Sequence, residues 1–154
     1  MKKIVVVSDS HGNSRVFDRI FSEVEFDHLI FLGDGINDLG IYENDERVKI
    51  VRGNCDFFSP EKYESFLSVE NVLIFFTHGH EYSVKSTLTR LYNRIEGLPV
   101  NIVCYGHTHR FSEDKINNIT FHNPGSISCV RGGAGTYSVI TVDGKNFSIQ
   151  KCSF

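Results

Sequence analysis

Five short stretches of this chain end in residues whose side chains hold metal ions or move protons. IVVVSDSH delivers Asp9 and His11, HLIFLGD delivers Asp34, VKIVRGN delivers Asn54, VLIFFTH delivers His78, and NIVCYGHTH delivers His107 and His109. Two carboxylates, one amide oxygen and four imidazoles exceed what one four- to six-coordinate cation uses, because a catalytic ion keeps positions for water and substrate. Two ions divide them comfortably. One carboxylate can bridge a pair of metals about 3.5 to 4 Å apart, the spacing of two-metal hydrolytic sites. Taken singly, each residue has an ordinary explanation: an Asp after a strand caps a turn, and a His among apolar residues is hydrogen-bonded core. As a set leaving five similar runs, they point to one site.

The runs that deliver them, Ile4 to Val7, Leu29 to Leu32, Val48 to Val51, and the stretches before His78 and His107, are rich in Val, Ile and Phe. Their length suits buried strands and is too short for helices, and their near-continuous apolarity suits a sheet covered on both faces. In open α/β sheets, ligands bind at the carboxyl ends of the strands, which is where all seven residues fall.

Two covering helices are expected. One has Asn13 as its N-cap, with Val16, Phe17, Ile20, Phe21 and Val24 on one face. The other carries Val84, Leu88, Leu91, Tyr92 and Ile95 and stops at Gly97, with Pro99 beyond. From Phe111 onward the texture changes to short alternating segments, with Asn117-Asn118 and Asp143-Gly144 as hairpin turns, so the C-terminal third should be antiparallel strand. The expected architecture is α/β, two sheets packed face to face with flanking helices, in one domain over residues 1–154. The segment Asp34 to Arg47 reads as a polar surface crossover.

Composition narrows the function classes. The 154 residues are 40% hydrophobic and 23% charged, with 13 Phe and 3 Pro, a globular profile. A net charge of −3 offers no basic stripe for stable nucleic-acid binding, although a local cluster could hold one phosphate. Cys55, Cys104, Cys129 and Cys152 lack a CxxC pair and read as reduced, and the apolar stretch after Lys3 is too short for a signal peptide or a membrane span. A cytoplasmic location and no membrane partner follow as expectations; homo-oligomerisation is left open.

The same residues carry a resemblance. D-S-H (Asp9 to His11), G-D (Gly33, Asp34), G-N-C-D (Gly53 to Asp56), T-H-G-H (Thr77 to His80) and G-H-T-H (Gly106 to His109), in this order and followed by N-P-G-S (Asn123 to Ser126), resemble the calcineurin-like metallophosphoesterase superfamily. Its small bacterial and archaeal phosphodiesterases of the YfcE type are the most similar branch. The resemblance runs over nearly the whole chain. It implies a four-layer αββα sandwich of two mixed sheets, a dinuclear site and hydrolysis of a small phosphodiester. By motif, Asp9, His11 and His109 hold the first metal, Asn54, His78 and His107 the second, and Asp34 bridges them. Asn54, Asp34 and His107 are expected to serve the reaction directly; Cys55, Asp56 and His80 are expected beside the substrate or behind the ligands. Two divalent ions are implied, manganese first, with nickel, iron, cobalt or zinc acceptable to mixed imidazole and carboxylate donors. Metal-bound water loses a proton near neutral pH, so a bridging hydroxide is the expected nucleophile.

One position departs from many phosphomonoesterases of the superfamily, which read G-N-H where this chain has Gly53-Asn54-Cys55. A neutral thiol replaces an imidazole that aids the leaving oxygen, so the general acid stays unassigned and esters with good leaving groups should be preferred. Arg52, Arg110 and Arg131 could meet phosphate or solvent. The rival class is a non-catalytic interaction scaffold of the same fold, as in the eukaryotic retromer. A complete ligand set favours the enzyme, and a closed structural site would be richer in Cys.

Overall fold

A computed structural model describes residues 1–128 and 134–154; Cys129 and Arg131, considered above, lie outside the described residues. The chain runs β1 (Lys2–Val7), α1 (Arg15–Glu23), β2 (His28–Phe31), β3 (Val48–Ile50), β4 (Glu64–Val69), β5 (Val72–Thr77), α2 (Thr89–Ile95), β6 (Ile102–Cys104), β7 (Phe111–Ile116), β8 (Ile119–Pro124), β9 (Thr136–Asp143) and β10 (Asn146–Ser153). Two five-stranded sheets result, ordered β10-β9-β1-β2-β3 and β4-β5-β6-β8-β7. Among the described residues no helix is long and apolar enough to cross a membrane.

Alternation along the apolar strands builds the layers, because successive side chains of a strand point to opposite faces. Ile4 and Val6 face inward and meet Ile74, Phe76, Ile102 and Cys104 of the other sheet. Val5 and Val7 face outward under Val16, Phe17 and Ile20 of α1. Phe75 and Val103 do the same under Leu91 and Ile95 of α2. The order is therefore helix, sheet, sheet, helix, and the strands that read as continuously apolar are the ones sandwiched on both faces.

The five delivering strands all form, but they are shared between the sheets. β1, β2 and β3 pair in parallel in one sheet, and β5 pairs in parallel with β6 in the other. The alternating C-terminal segments do not make a separate back sheet. The β7–β8 hairpin joins β6, and the β9–β10 hairpin lies antiparallel to β1. Each sheet is completed by the hairpin that supplies its missing backbone partners.

Several local expectations shift. Ser14, not Asn13, is the N-cap of α1, and the Asn13 N–H instead donates to the Ser10 carbonyl at 2.9 Å. The second helix starts five residues after Val84, at Thr89. Ser83 sits in a left-handed conformation (φ 52°), and the backbone N–H groups of Ser86 and Thr87 close a turn onto its carbonyl before the helix begins. Val84 still packs with Leu91 and Ile95, so its spacing reported a shared core rather than a continuous helix. Gly97 (φ 82°) ends α2 as expected. Asn117 and Asn118 (φ 48° and 66°) form the β7–β8 turn, whereas Asp143 is still in β9 and Gly144 (φ 64°) turns the chain. The crossover from Asp34 to Arg47 contains a 3-10 stretch, Ile36–Asn44, that buries Ile36 and Leu39 and kinks at Gly40.

One buried group sets a pH limit on the fold. His122 is fully buried; Ser138 of the facing sheet lies 2.6 Å from its Nε2, and the Ser112 carbonyl 3.0 Å from its Nδ1. The ring satisfies both as a neutral tautomer, with Nδ1–H donating to the carbonyl and Nε2 accepting from the hydroxyl. Burial, partly opposed by the Ser112 carbonyl, pushes its pKa down to about 4. The unfolded chain therefore binds this proton first as pH falls below about 6.5, and stability is lost from there down to about pH 4. Between pH 7 and 5 the His122 share is about 2 kcal/mol. Urea unfolding of wild type and His122→Asn at both pH values checks this: the variant should show a loss smaller by that amount, and equal losses would refute it.

Candidate metal centre

Each delivering strand ends in a residue that turns its side chain out of the sheet edge, and the backbone does so at a cost. Asp9, His11, Asp34, His107 and His109 all have positive φ, between 42° and 69°. Left-handed backbone costs a non-glycine residue roughly 1–2 kcal/mol, so five such residues at one edge mark a place where folding is spent on positioning. Glycines fill the gaps between them. A Cβ on Gly53 would collide with Asp34 Oδ1, and one on Gly106 with Ser8 Oγ and, at 2.9 Å, Asp9 Oδ2.

Six of the seven residues converge as two neighbouring groups. Asp9, His11 and His109 offer atoms within 4.8 Å of one another, and so do Asp34, His78 and His107; a third overlapping set is His11, Asp34 and Cys55. Within the first, Asp9 Oδ1 lies 3.2 Å from His109 Nε2 and 3.4 Å from His11 Nε2. Within the second, Asp34 Oδ2 lies 3.3 Å from His78 Nε2, while His78 Nε2 and His107 Nδ1 are 3.2 Å apart. Asp34 Oδ2 is also 3.7 Å from His11 Nε2, which puts this carboxylate between the groups. Asn54 leaves the same edge but is exposed, with its amide nitrogen 3.5 Å from Cys55 Sγ.

The donor set fits cations. Asp9 is wholly buried; its Oδ2 accepts from the Ser8 hydroxyl (2.5 Å) and the His107 N–H (3.1 Å). Its Oδ1 accepts no hydrogen bond among the described residues, although three imidazole nitrogens lie within 4 Å. A buried, ionised oxygen without a partner is expensive unless a positive charge meets it. His78 donates Nδ1–H to the Leu32 carbonyl at 2.7 Å, which leaves Nε2 as the nitrogen facing Asp34; burial opposes charge on the ring, but the Asp34 and Asp9 carboxylates prevail and raise its pKa.

The electrostatics agree. Burial opposes charge on Asp9, but the imidazoles of His109, His11 and His78 and the Ser8 hydroxyl outweigh it, holding the carboxyl well below its usual range. Asp34 is lowered in the same way: burial opposes, and His78 and the Cys55 N–H prevail. Burial, followed by the neighbouring His78 charge, pushes His107 down to about 4, so its ring is a neutral donor at pH 7.

The residues behind the ligands were partly invisible in sequence. Asp56 accepts four backbone N–H groups, those of Asp34 and Gly53 (2.7 Å each), Gly35 (2.8 Å) and Ile36 (3.0 Å), and so clamps two ligand loops together. Asp38 holds Ser10 and Gly12 around His11, with no sequence signal beyond an acid in a polar crossover. In N-P-G-S, Asn123 donates to the Gly106 carbonyl and Thr108 hydroxyl, and Ser126 donates to the Asp9 carbonyl. His80 packs 5.5 Å from the His78 ring and beside Tyr63, where burial lowers its pKa. Cys55 is an exposed loop residue, and partial desolvation of its sulfur together with the Asp34 charge raises its pKa.

Comparison with known proteins gives a consistent match. Residues 1–145 fit the model of the calcineurin-like phosphoesterase superfamily domain. The chain is 32% identical to the probable metallophosphoesterase YsnB of Bacillus subtilis, over 91% of this chain and 84% of the relative. It is 26% identical to the phosphodiesterase YfcE of Escherichia coli, over 86% of this chain and 83% of that protein. A predicted phosphoesterase of Streptococcus pneumoniae shares the fold at a TM-score of 0.85 and 26% identity, covering 99% of this chain and 89% of that one.

Proposed function

The chain belongs to the calcineurin-like phosphoesterase superfamily, and from that premise we propose that it is a metal-dependent phosphodiesterase acting on small phosphodiesters at a dinuclear site. The observation that carries this is Asp9 Oδ1, buried and without a hydrogen bond among the described residues, at the meeting point of His11, His78 and His109.

Asp9, His11 and His109 would hold one divalent ion and Asn54, His78 and His107 the other, with Asp34 between them. Two such ions, manganese first by family habit, supply positive charge for the phosphoryl oxygens and lower the pKa of water. The protein's share is to keep the donors in register. Ser8 and the His107 N–H hold the Asp9 carboxylate in orientation, Leu32 O fixes which nitrogen His78 presents, and Asp56 holds the Asp34 loop against the Asn54 loop. No side chain needs to act as a covalent nucleophile, and the raised pKa of Cys55 leaves it a neutral thiol, so a good leaving group is favoured over a poor one.

The test is elemental analysis with hydrolysis of an aryl and an alkyl phosphodiester, before and after chelation, in wild type, His78→Ala and Asn54→Ala. The aryl diester should be the faster substrate, chelation should abolish turnover and a divalent ion should restore it. Each variant should lose metal and about a hundredfold or more in rate, beyond the 10–100-fold typical of groups behind a metal ligand. Full activity after chelation would end the proposal. Metal bound with no turnover of any phosphoester would instead favour a scaffold of the same fold.

A further inference from the structure

The site lies between two clefts whose charged lining residues are predominantly of opposite sign. On the side of His107 and His109, a cleft of about 790 Å³ is lined by Lys85, Arg110, Thr87 and Thr108, with Asp114 as its one acid. Lys85 and Arg110 are exposed, and neither makes an ion pair among the described residues. Arg52, by contrast, is occupied, donating to the Ser59 and Asp56 carbonyls and covering the Tyr63 ring.

On the side of His11 and Asp34, a cleft of about 570 Å³ is lined by Ile36, Phe57, Phe58 and Pro60. It holds no lysine or arginine, and its acids are Asp34 itself, Asp38 and Asp56, turned to backbone N–H groups, and Glu43. Phe58 is fully exposed and has φ 64°, so both its solvation and its backbone are unfavourable. The two hydrogen bonds from Arg52 nevertheless hold its loop in place. An aromatic ring presented at double cost on the rim of a site is what a ligand surface looks like.

We propose that the substrate is an asymmetric phosphodiester: one arm carries a second anionic group, a phosphate or carboxylate, bound by Lys85 and Arg110, and the other arm is uncharged and planar or apolar and rests on Phe57 and Phe58. This rests on the phosphodiesterase assignment. With the scissile phosphate at the ligands that separate the clefts, where His11 of one and His109 of the other lie 3.2 Å apart, its two ester arms extend into chemically different surroundings. A second anion is attracted on the cationic side by two exposed cations that make no ion pair among the described residues. On the other side Glu43 repels it, and the aromatic rim accepts a flat ring instead.

The probes are the p-nitrophenyl phosphodiester of a nucleoside, with and without a second phosphate on the sugar. In the metal-loaded wild type the second phosphate should raise kcat/KM about tenfold or more, the scale of a charge-assisted contact. In the Lys85→Ala, Arg110→Ala double variant the ratio between the two diesters should fall to about one. Phe58→Ala should lower the preference for an aryl over a methyl arm while keeping the second-phosphate ratio. No advantage from the second phosphate, an advantage that survives the double variant, or its loss in Phe58→Ala would each overturn the proposal. If neither diester is hydrolysed, the phosphodiesterase assignment falls, and calorimetry decides the clefts separately. A nucleoside bisphosphate binding about tenfold tighter than the monophosphate, with the difference lost in the double variant, keeps the cationic cleft; equal binding removes it.

Discussion

Asp34→Asn is expected to lower hydrolysis of an aryl phosphodiester by more than about a hundredfold and to lower the bound metal, while the metal-free protein unfolds within a few degrees of wild type. Asparagine keeps the size of the side chain and the oxygen that accepts the Cys55 N–H at 2.8 Å. What changes is Oδ2, the atom lying between His78 and His11, which becomes a neutral amide nitrogen able to donate to the imidazole lone pairs. The fold loses little, because the amide finds partners in place of the carboxylate. The site loses the one charge placed to serve both donor groups, and groups standing only behind a metal ligand already cost 10–100-fold when removed. Wild-type activity together with unchanged metal content would remove Asp34 from the site.

Asp56→Ala should show the opposite division, with a large cost to stability ahead of any effect on chemistry. The residue is 8% exposed, and its carboxylate satisfies four N–H groups drawn from the loops of Asp34 and Gly53. Truncation leaves those donors without an acceptor in a space too confined for full hydration. A single orphaned buried donor costs about 1–3 kcal/mol, and partial relaxation keeps the total on the order of 4 kcal/mol. For a domain of this size that lowers the thermal midpoint by roughly 10 °C. A midpoint within 2 °C of wild type, an outcome on the order of 1 kcal/mol or less, would show that the clamp is dispensable.

These two acids separate what the sequence carried from what the fold added. Asp34 was legible because its residue type, following an apolar run and a glycine, fits a metal ligand. Asp56 follows a cysteine in a loop and could be read only as a neighbour; that it ties two strand ends together depends on a 22-residue separation closing in space. His11 and His109 lie 98 positions apart, yet their Nε2 atoms are 3.2 Å from each other.

By itself the sequence determined the delivering strands, the candidate donor residues and the pairing of two sheets, since each is written in local residue type and run length. Tertiary structure decided the rest. A continuously apolar run has no period of two, so nothing local says that Val5 faces a helix and Val6 the opposite sheet, or that β1 and β6 belong to different sheets. Only when both sheets close on their hairpins do the strand ends converge, and only then does the left-handed backbone at Asp9, Asp34 and His107 become affordable, held by contacts from distant parts of the chain. The chemistry was present in the residues; which cleft each side of the site opens onto was a property of the packing.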